Sequence, residues 1–342
     1  MINEAQRPLF KRCNKIYFVA LLLCCFRPLL AQELVEVHRG LVLMGSDFDI
    51  TVVHENKALA DKAIDTAIDE ISRIETLISS WSPDSETSHI NRMAGIAPVK
   101  VSDELFGLIQ RSIRISSLTQ NAFDITYAAM DGLWRFDKKM TEVPSADRIQ
   151  KRLAIVGIRQ VELNPQTKEV FLPKVGMKIG FGAIGKGYAA DRAKALLQSQ
   201  GVPAGIINAS GDLCVWGKNI NGESWTIALT HPLNPKDVLG VFDLENQAVV
   251  TSGNYEKYHW IDGERYSHII DPRTGYPSKG TISVTVFAPK AELADAMATA
   301  IFVLGPDIGV DLVNQIPQLE VLIVNEKGVI FTSKNIAIEG DH

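Results

Sequence analysis

Apolar residues recur at helical spacing at Leu59, Ala63, Ile64, Ala67, Ile68, Ile71, Ile74, Leu77 and Ile78, and this long stripe follows directly on a segment that alternates as paired strands do. In Val35 to Val53, Leu41 and Leu43, then Ile50 and Val52, are broken by the turn formers Gly45, Ser46 and Asp47. The stripe predicts one amphipathic helix ending near Trp81-Ser82-Pro83, and further helices are expected at Asp103 to Leu118, Thr126 to Trp134 and Ala146 to Ile155. The second half mixes short strands (Gly205 to Ile207, Trp225 to Leu229, Val241 to Leu244, Ala248 to Thr251, Ser283 to Ala288) with helices at Lys186 to Gln198 and Ala291 to Val303. Too many strands stand next to one another for a regular βαβ alternation, so an α+β fold is expected. There is no internal repeat, and the polar stretch Lys138 to Ala146 reads as a hinge or an insertion.

The first residues read as a leader. Arg7, Lys11, Arg12 and Lys15 precede the apolar run Ile16 to Phe26, which is too short to span a bilayer but suits a signal-peptide core. Residues 1–31 are therefore expected to be a signal peptide cut after Ala31, and residues 32–342 a single exported domain, periplasmic or held at the membrane. A lipid anchor on Cys24 or Cys25 is the second choice, because a lipoprotein peptidase prefers smaller residues than the Leu23 and Cys24 that precede them. Of the four cysteines, only Cys214 lies beyond the leader, so no internal disulfide is available. A net charge of -5 gives no support for nucleic-acid binding.

Chemistry concentrates in a few segments. In Tyr266 to Gly275, YSHIIDPRTG, Pro272 presets φ, Asp271 can bond its own backbone and Gly275 supplies positive φ without steric cost. The resulting turn ends a strand that carries His268, a side chain suited to take a proton from an attacking hydroxyl, or in the plainer reading a hydrogen-bonded strand histidine. Asp295 and Thr299 stand four apart in the small-residue helix ADAMATA, so their oxygens leave one face a turn apart, as a hard cation such as Mg²⁺ requires. A surface aspartate and a threonine bonded to its own helix is the alternative. Gly180, Gly182 and Gly185 spell GxGxxG between the strand-like Met177-Lys178-Ile179 and a helix, with Lys186 directly after. That pattern fits a nicotinamide-dinucleotide turn with Asp212 as ribose acid, or a glycine turn that packs tightly; a phosphate-sized anion suits either. In NAFDIT, Asp124 or Thr126 can cap a helix while Phe123 joins the core. Trp81 either buries under a loop or lies against a flat ring, whose other side Met44 can soften.

MGSDFDI, SSWSPDSETSHINR, NAFDIT, GAIGKG, INASGDL, TSGNYEKY, YSHIIDPRTG and ADAMATA stand in the order found in the ApbE family of flavin transferases, and this resemblance covers essentially the whole chain after the leader. It implies a fold of ApbE type, T-fold-related, with mixed sheets and packed helices. It also implies Mg²⁺-dependent transfer of FMN from FAD to a Thr or Ser hydroxyl of an acceptor protein, such as a subunit of a membrane redox complex, with release of AMP. Binding of FAD alone, or its hydrolysis to FMN and AMP, is the alternative. Residue by residue, the resemblance implies that Asp295, Thr299 and the Ala183 carbonyl hold the metal and that His268 is the base. Met44, Trp81, Ala122, Phe123, Asp124, Lys186, Ser252, Gly253, Ile270, Asp271 and Thr274 are its implied contacts to the flavin dinucleotide. The chain departs from the family at Gly180, where an acidic residue is common, and at Trp81, where tyrosine is frequent.

Overall fold

The structure, a computed structural model, describes residues 34–255 and 257–336, so the expected leader lies outside the described residues. The alternation near the start forms a hairpin of β1 (Val35–Leu43) and β2 (Ser46–His54), joined by Met44 and Gly45. Both joining residues have positive φ, 51° and 68°, the turn geometry whose twist matches that of the flanking strands. The eight-stranded sheet continues through β3 (Ala204–Ala209), β4 (Asp212–Trp216), β5 (Ala248–Gly253), β6 (Thr281–Ala288), β7 (Glu320–Asn325) and β8 (Ile330–Thr332). Its spatial order follows chain order, and each neighbouring pair is antiparallel.

Everything else is inserted between these strands. The helices are α1 (Lys57–Ile78), α2 (Glu86–Arg92), α3 (Asp103–Leu118), α4 (Ala146–Leu153), α5 (Gly185–Ser199), α6 (Ala291–Leu304) and α7 (Pro306–Val313). The Asn56 side chain caps α1 by accepting from the Leu59 amide, and the stripe from Ala60 to Ile78 is buried. That stripe packs with α5 and α6 on one face of the sheet, against Phe48, Ile50 and Val52 of β2. Because successive strand residues face opposite ways, Val53 joins Ala204, Val215, Val249 and Phe287 on the other face. That face is covered by the hairpin Trp225–His231 and Asn234–Leu244.

Three sequence expectations change. The stripe helix stops at Ile78, with Ser79 as its cap, short of Trp81. The helix expected at Thr126 to Trp134 is a short 3₁₀ turn, Ile125–Met130, after which Gly132 takes φ 76° and turns the chain away. Met177 to Ile179 is not a strand, and among the described residues the main sheet has no parallel pair, so the βαβ unit that a nicotinamide-dinucleotide turn needs is missing. No helix among the described residues is long and apolar enough to cross a membrane.

Two contacts fix how α5 and α6 dock. A Cβ on Gly187 would stand 2.2 Å from the Ala291 carbonyl oxygen, so the helices cross nearly backbone to backbone. Asp191 on α5 then caps α6: its Oδ1 and Oδ2 accept from the amides of Ala291 and Glu292, each at 3.0 Å.

Candidate active site

A cavity of about 320 Å³ opens where α6, the start of α5, the end of β5 and the segment after Ser267 meet. Its wall takes Asp295 and Thr299 from α6, Ala183 and Lys186 from the α5 start, and Ser252 and Gly253 from β5. His268 and Ile270 enter from the strand–turn segment, Ala122, Phe123 and Asp124 from the loop before the 3₁₀ turn, and Met44 from the β1–β2 turn.

The two oxygen-bearing side chains of α6 do emerge together. Asp295 is only 5% exposed, and its Oδ2 accepts the Gly187 amide at 3.1 Å, which fixes the carboxylate against the start of α5. The Thr299 hydroxyl lies 3.4 Å from that of Ser252. Asp295, Thr299 and Ala183 line the same space, so a carboxylate and a hydroxyl stand beside the residue whose carbonyl the resemblance assigns to the metal, an oxygen set of the kind a small hard cation takes when ligand phosphates and water fill the remaining positions. The residues therefore fit Mg²⁺.

Lys186 lies within the first turn of α5, its Nζ 2.5 Å from Oδ2 of Asp212 and 3.4 Å from the Ala209 carbonyl. Asp212, 3% exposed, thus faces a lysine in this cavity, where the nicotinamide reading had made it a ribose acid. The backbone amide of His268 donates to the Lys257 carbonyl at 3.0 Å, and Nδ1 lies 3.2 Å from the same oxygen. Burial lowers the His268 pKa below the ordinary histidine value, and the positive charges of Lys257 and Lys186 act in the same direction. Asp124 is the 3₁₀ cap: Oδ1 accepts from the Thr126 amide and hydroxyl, and Oδ2 from the Ile158 amide. Burial raises its pKa, against those hydrogen bonds.

Three residues expected at the site are not in its wall. Trp81 is 80% exposed on the loop after α1; its neighbour Ser80 has Oγ 3.7 Å from where a Cβ on Gly180 would stand. Asp271 and Thr274 build the turn instead. The Asp271 carbonyl accepts the Gly275 amide at 2.8 Å and its carboxylate holds Arg273, while the Thr274 hydroxyl accepts the Tyr276 amide at 3.3 Å. Gly180 does line the cavity, and a side chain there would meet Ala128 Cβ at 3.0 Å. Sequence reasoning passed over Lys257 and Thr251, which also line the space; Lys257 lay inside TSGNYEKY, and its lysine beside aromatic residues was the only available signal.

Residues 44–323 match the ApbE family. The chain belongs to the ApbE family. An ApbE relative from Klebsiella pneumoniae, named FAD:protein FMN transferase, is 35% identical over 294 residues, 85% of this chain and 90% of its own. Another of that name from Escherichia coli is 31% identical over 263 residues, 75% of each chain. Among solved structures, the ApbE protein of Thermotoga maritima superposes with a TM-score of 0.81 at 32% identity, covering 88% of this chain and 97% of that one. The flavin transferase ApbE of Vibrio cholerae gives 0.79 at 26% identity, covering 88% and 98%. The ApbE likeness bears out the α+β expectation, and every residue of the cavity wall falls inside the matched span.

Proposed function

We propose that this chain transfers the FMN part of FAD to a Thr or Ser hydroxyl of an acceptor protein and releases AMP. One observation carries the reading: a histidine, a lysine and Asp295, Thr299 and Ala183 share one cavity, in a chain whose relatives are named FAD:protein FMN transferase.

A general base must be neutral and must present the correct nitrogen. The lowered pKa of His268 keeps its ring neutral near pH 7. A carbonyl can only accept, so the contact to Lys257 puts the ring proton on Nδ1 and leaves Nε2 to receive another. Nε2 takes the proton of the acceptor hydroxyl as that oxygen bonds to the FMN-side phosphorus; the phosphorus–oxygen bond to the AMP side breaks, and AMP leaves with the bridging oxygen. Lys186, steadied by Asp212, adds a positive charge to the amides at the start of α5, where non-bridging phosphate oxygens are stabilised. Asp295, Thr299 and the Ala183 carbonyl would hold Mg²⁺, which when bound would supply neutralisation of the pyrophosphate charge. On the reading of the leader, this chemistry takes place in the periplasm, free or lipid-anchored, on a subunit of a membrane redox complex.

The test mixes the purified chain, FAD, Mg²⁺ and a flavin-acceptor domain. Yellow fluorescence that stays with the acceptor on a denaturing gel, with AMP released in step, is the expected result. Free FMN and AMP without a protein adduct would make the chain an FAD hydrolase.

A further inference from the structure

Met44 stands in an unusual backbone. Turns with positive φ at both central positions favour asparagine, aspartate or glycine at the first, yet this one has methionine at φ 51° and turns its side chain to the cavity. The Met44 amide donates to Glu75 Oε2 at 3.1 Å. Glu75 lies in the last turn of α1, beside the apolar stripe, and does not line the cavity. One turn further along, Ile78 Cδ1 lies 2.7 Å from where a Cβ on Gly185 would stand, and Met44 Cε lies 3.7 Å from that same point. The end of α1 therefore grips two walls of the cavity at once: the hairpin turn through Glu75, and the first residue of α5 through Ile78.

We propose that Glu75 is a positioning residue for FAD, holding the strained Met44–Gly45 turn so that the Met44 side chain forms part of the binding wall. The proposal rests on the reading of this cavity as an FAD site. An amide in a strained turn that loses its acceptor lets the turn populate other conformations. Apparent affinity then falls with the fraction of chains that keep the competent one.

Titration of the full chain with FAD in the presence of Mg²⁺, followed by quenching of flavin fluorescence, reads this directly. Glu75→Ala is expected to bind FAD about tenfold more weakly, with turnover at saturating FAD nearly unchanged. Glu75→Gln keeps an amide oxygen that can accept, and should stay within about twofold of wild type. Glu75→Lys, a second variant in case alanine disturbs folding, should lose at least as much as alanine. The deciding arm is Met44→Gly, which adopts positive φ unaided and has no side chain to place: adding Glu75→Ala to it should cost nothing more. Equal losses in both backgrounds, or no loss in Glu75→Ala alone, would overturn the positioning role while leaving the FAD reading intact. A wild-type chain that does not bind FAD would overturn that reading, and this proposal with it.

Discussion

Gly187 has no room for a side chain. A Cβ there would stand 2.2 Å from the Ala291 carbonyl oxygen and 2.9 Å from Asp295 Cβ, and a backbone oxygen cannot rotate aside. Gly187→Ala is therefore expected to force α5 and α6 apart, costing about 1–3 kcal/mol in chemical denaturation and displacing the Asp295 carboxylate from the cavity. Stability and labelling equal to wild type would contradict the contact. His268 gives a pH prediction. Burial and two neighbouring lysines disfavour its imidazolium, so the base form persists to lower pH than in a free histidine. Activity should fall only as pH drops through that depressed value, giving a limb in kcat/KM below the ordinary 6.5, and Lys186→Met should move the limb upward by removing a like charge. A limb above 6.5 in the wild type would contradict the environment described. At this scale the sequence singled out Asp295, Thr299 and His268 by residue type and spacing, and the structure brings all three to one cavity wall. For Lys257, which meets His268 through its backbone carbonyl as well as through its charge, it held only the weak signal of a lysine beside aromatic residues. It could not separate Asp271 and Thr274 from true cavity residues, because the residues that build such a turn are the ones that bind ligands.

The cavity exists because α6 is docked by α5. At its own N-cap position, Lys290 makes no side-chain cap, and the two amides behind it are satisfied by Asp191 from the neighbouring helix. Asp191→Ala should therefore cost about 1 kcal/mol or more, as a lost cap does, and lower transfer by tilting the helix that carries Asp295 and Thr299. Asp191→Asn, which keeps one oxygen acceptor, should fall between. Denaturation midpoints and the label assay check both. Elements with a clear period were legible: α3 begins and ends at the residues its pattern indicated, α5 and α6 differ by no more than a single residue at an end, and α1 stops at Ile78, short of the expected Trp81. The unseen ones lacked a period. α2 is seven residues of ETSHINR with no apolar stripe, and Tyr258–Ile261 is a short run of mostly aromatic residues; its partner Glu264–Ser267 is the strand expected before the turn, but it stops one residue short of His268. β7 is a continuous apolar run, VLIV at its centre, buried on both faces and without alternation.

For the whole molecule, the site is assembled from segments that lie between Met44 and Thr299 and meet only because the antiparallel sheet brings their ends together. The order of that sheet was not readable in the chain, since β2 pairs with β3 across everything from His54 to Ala204, and no local pattern records which distant strand is the partner. The α+β class was readable, because it depends only on how many strands stand next to one another. A ligand that binds the assembled site stabilises all of it by linkage: FAD at about a hundred times its Kd should add about 2.7 kcal/mol, seen as a raised thermal midpoint, and chelating Mg²⁺ should abolish most of the gain. The most direct measurement is a crystal soaked with FAD and Mn²⁺ in place of Mg²⁺, read by anomalous scattering. One strong peak is expected among the Asp295 carboxylate, the Thr299 hydroxyl and the Ala183 carbonyl, against the FAD pyrophosphate; a peak elsewhere, or bound FAD with no peak there, would contradict the shared metal site.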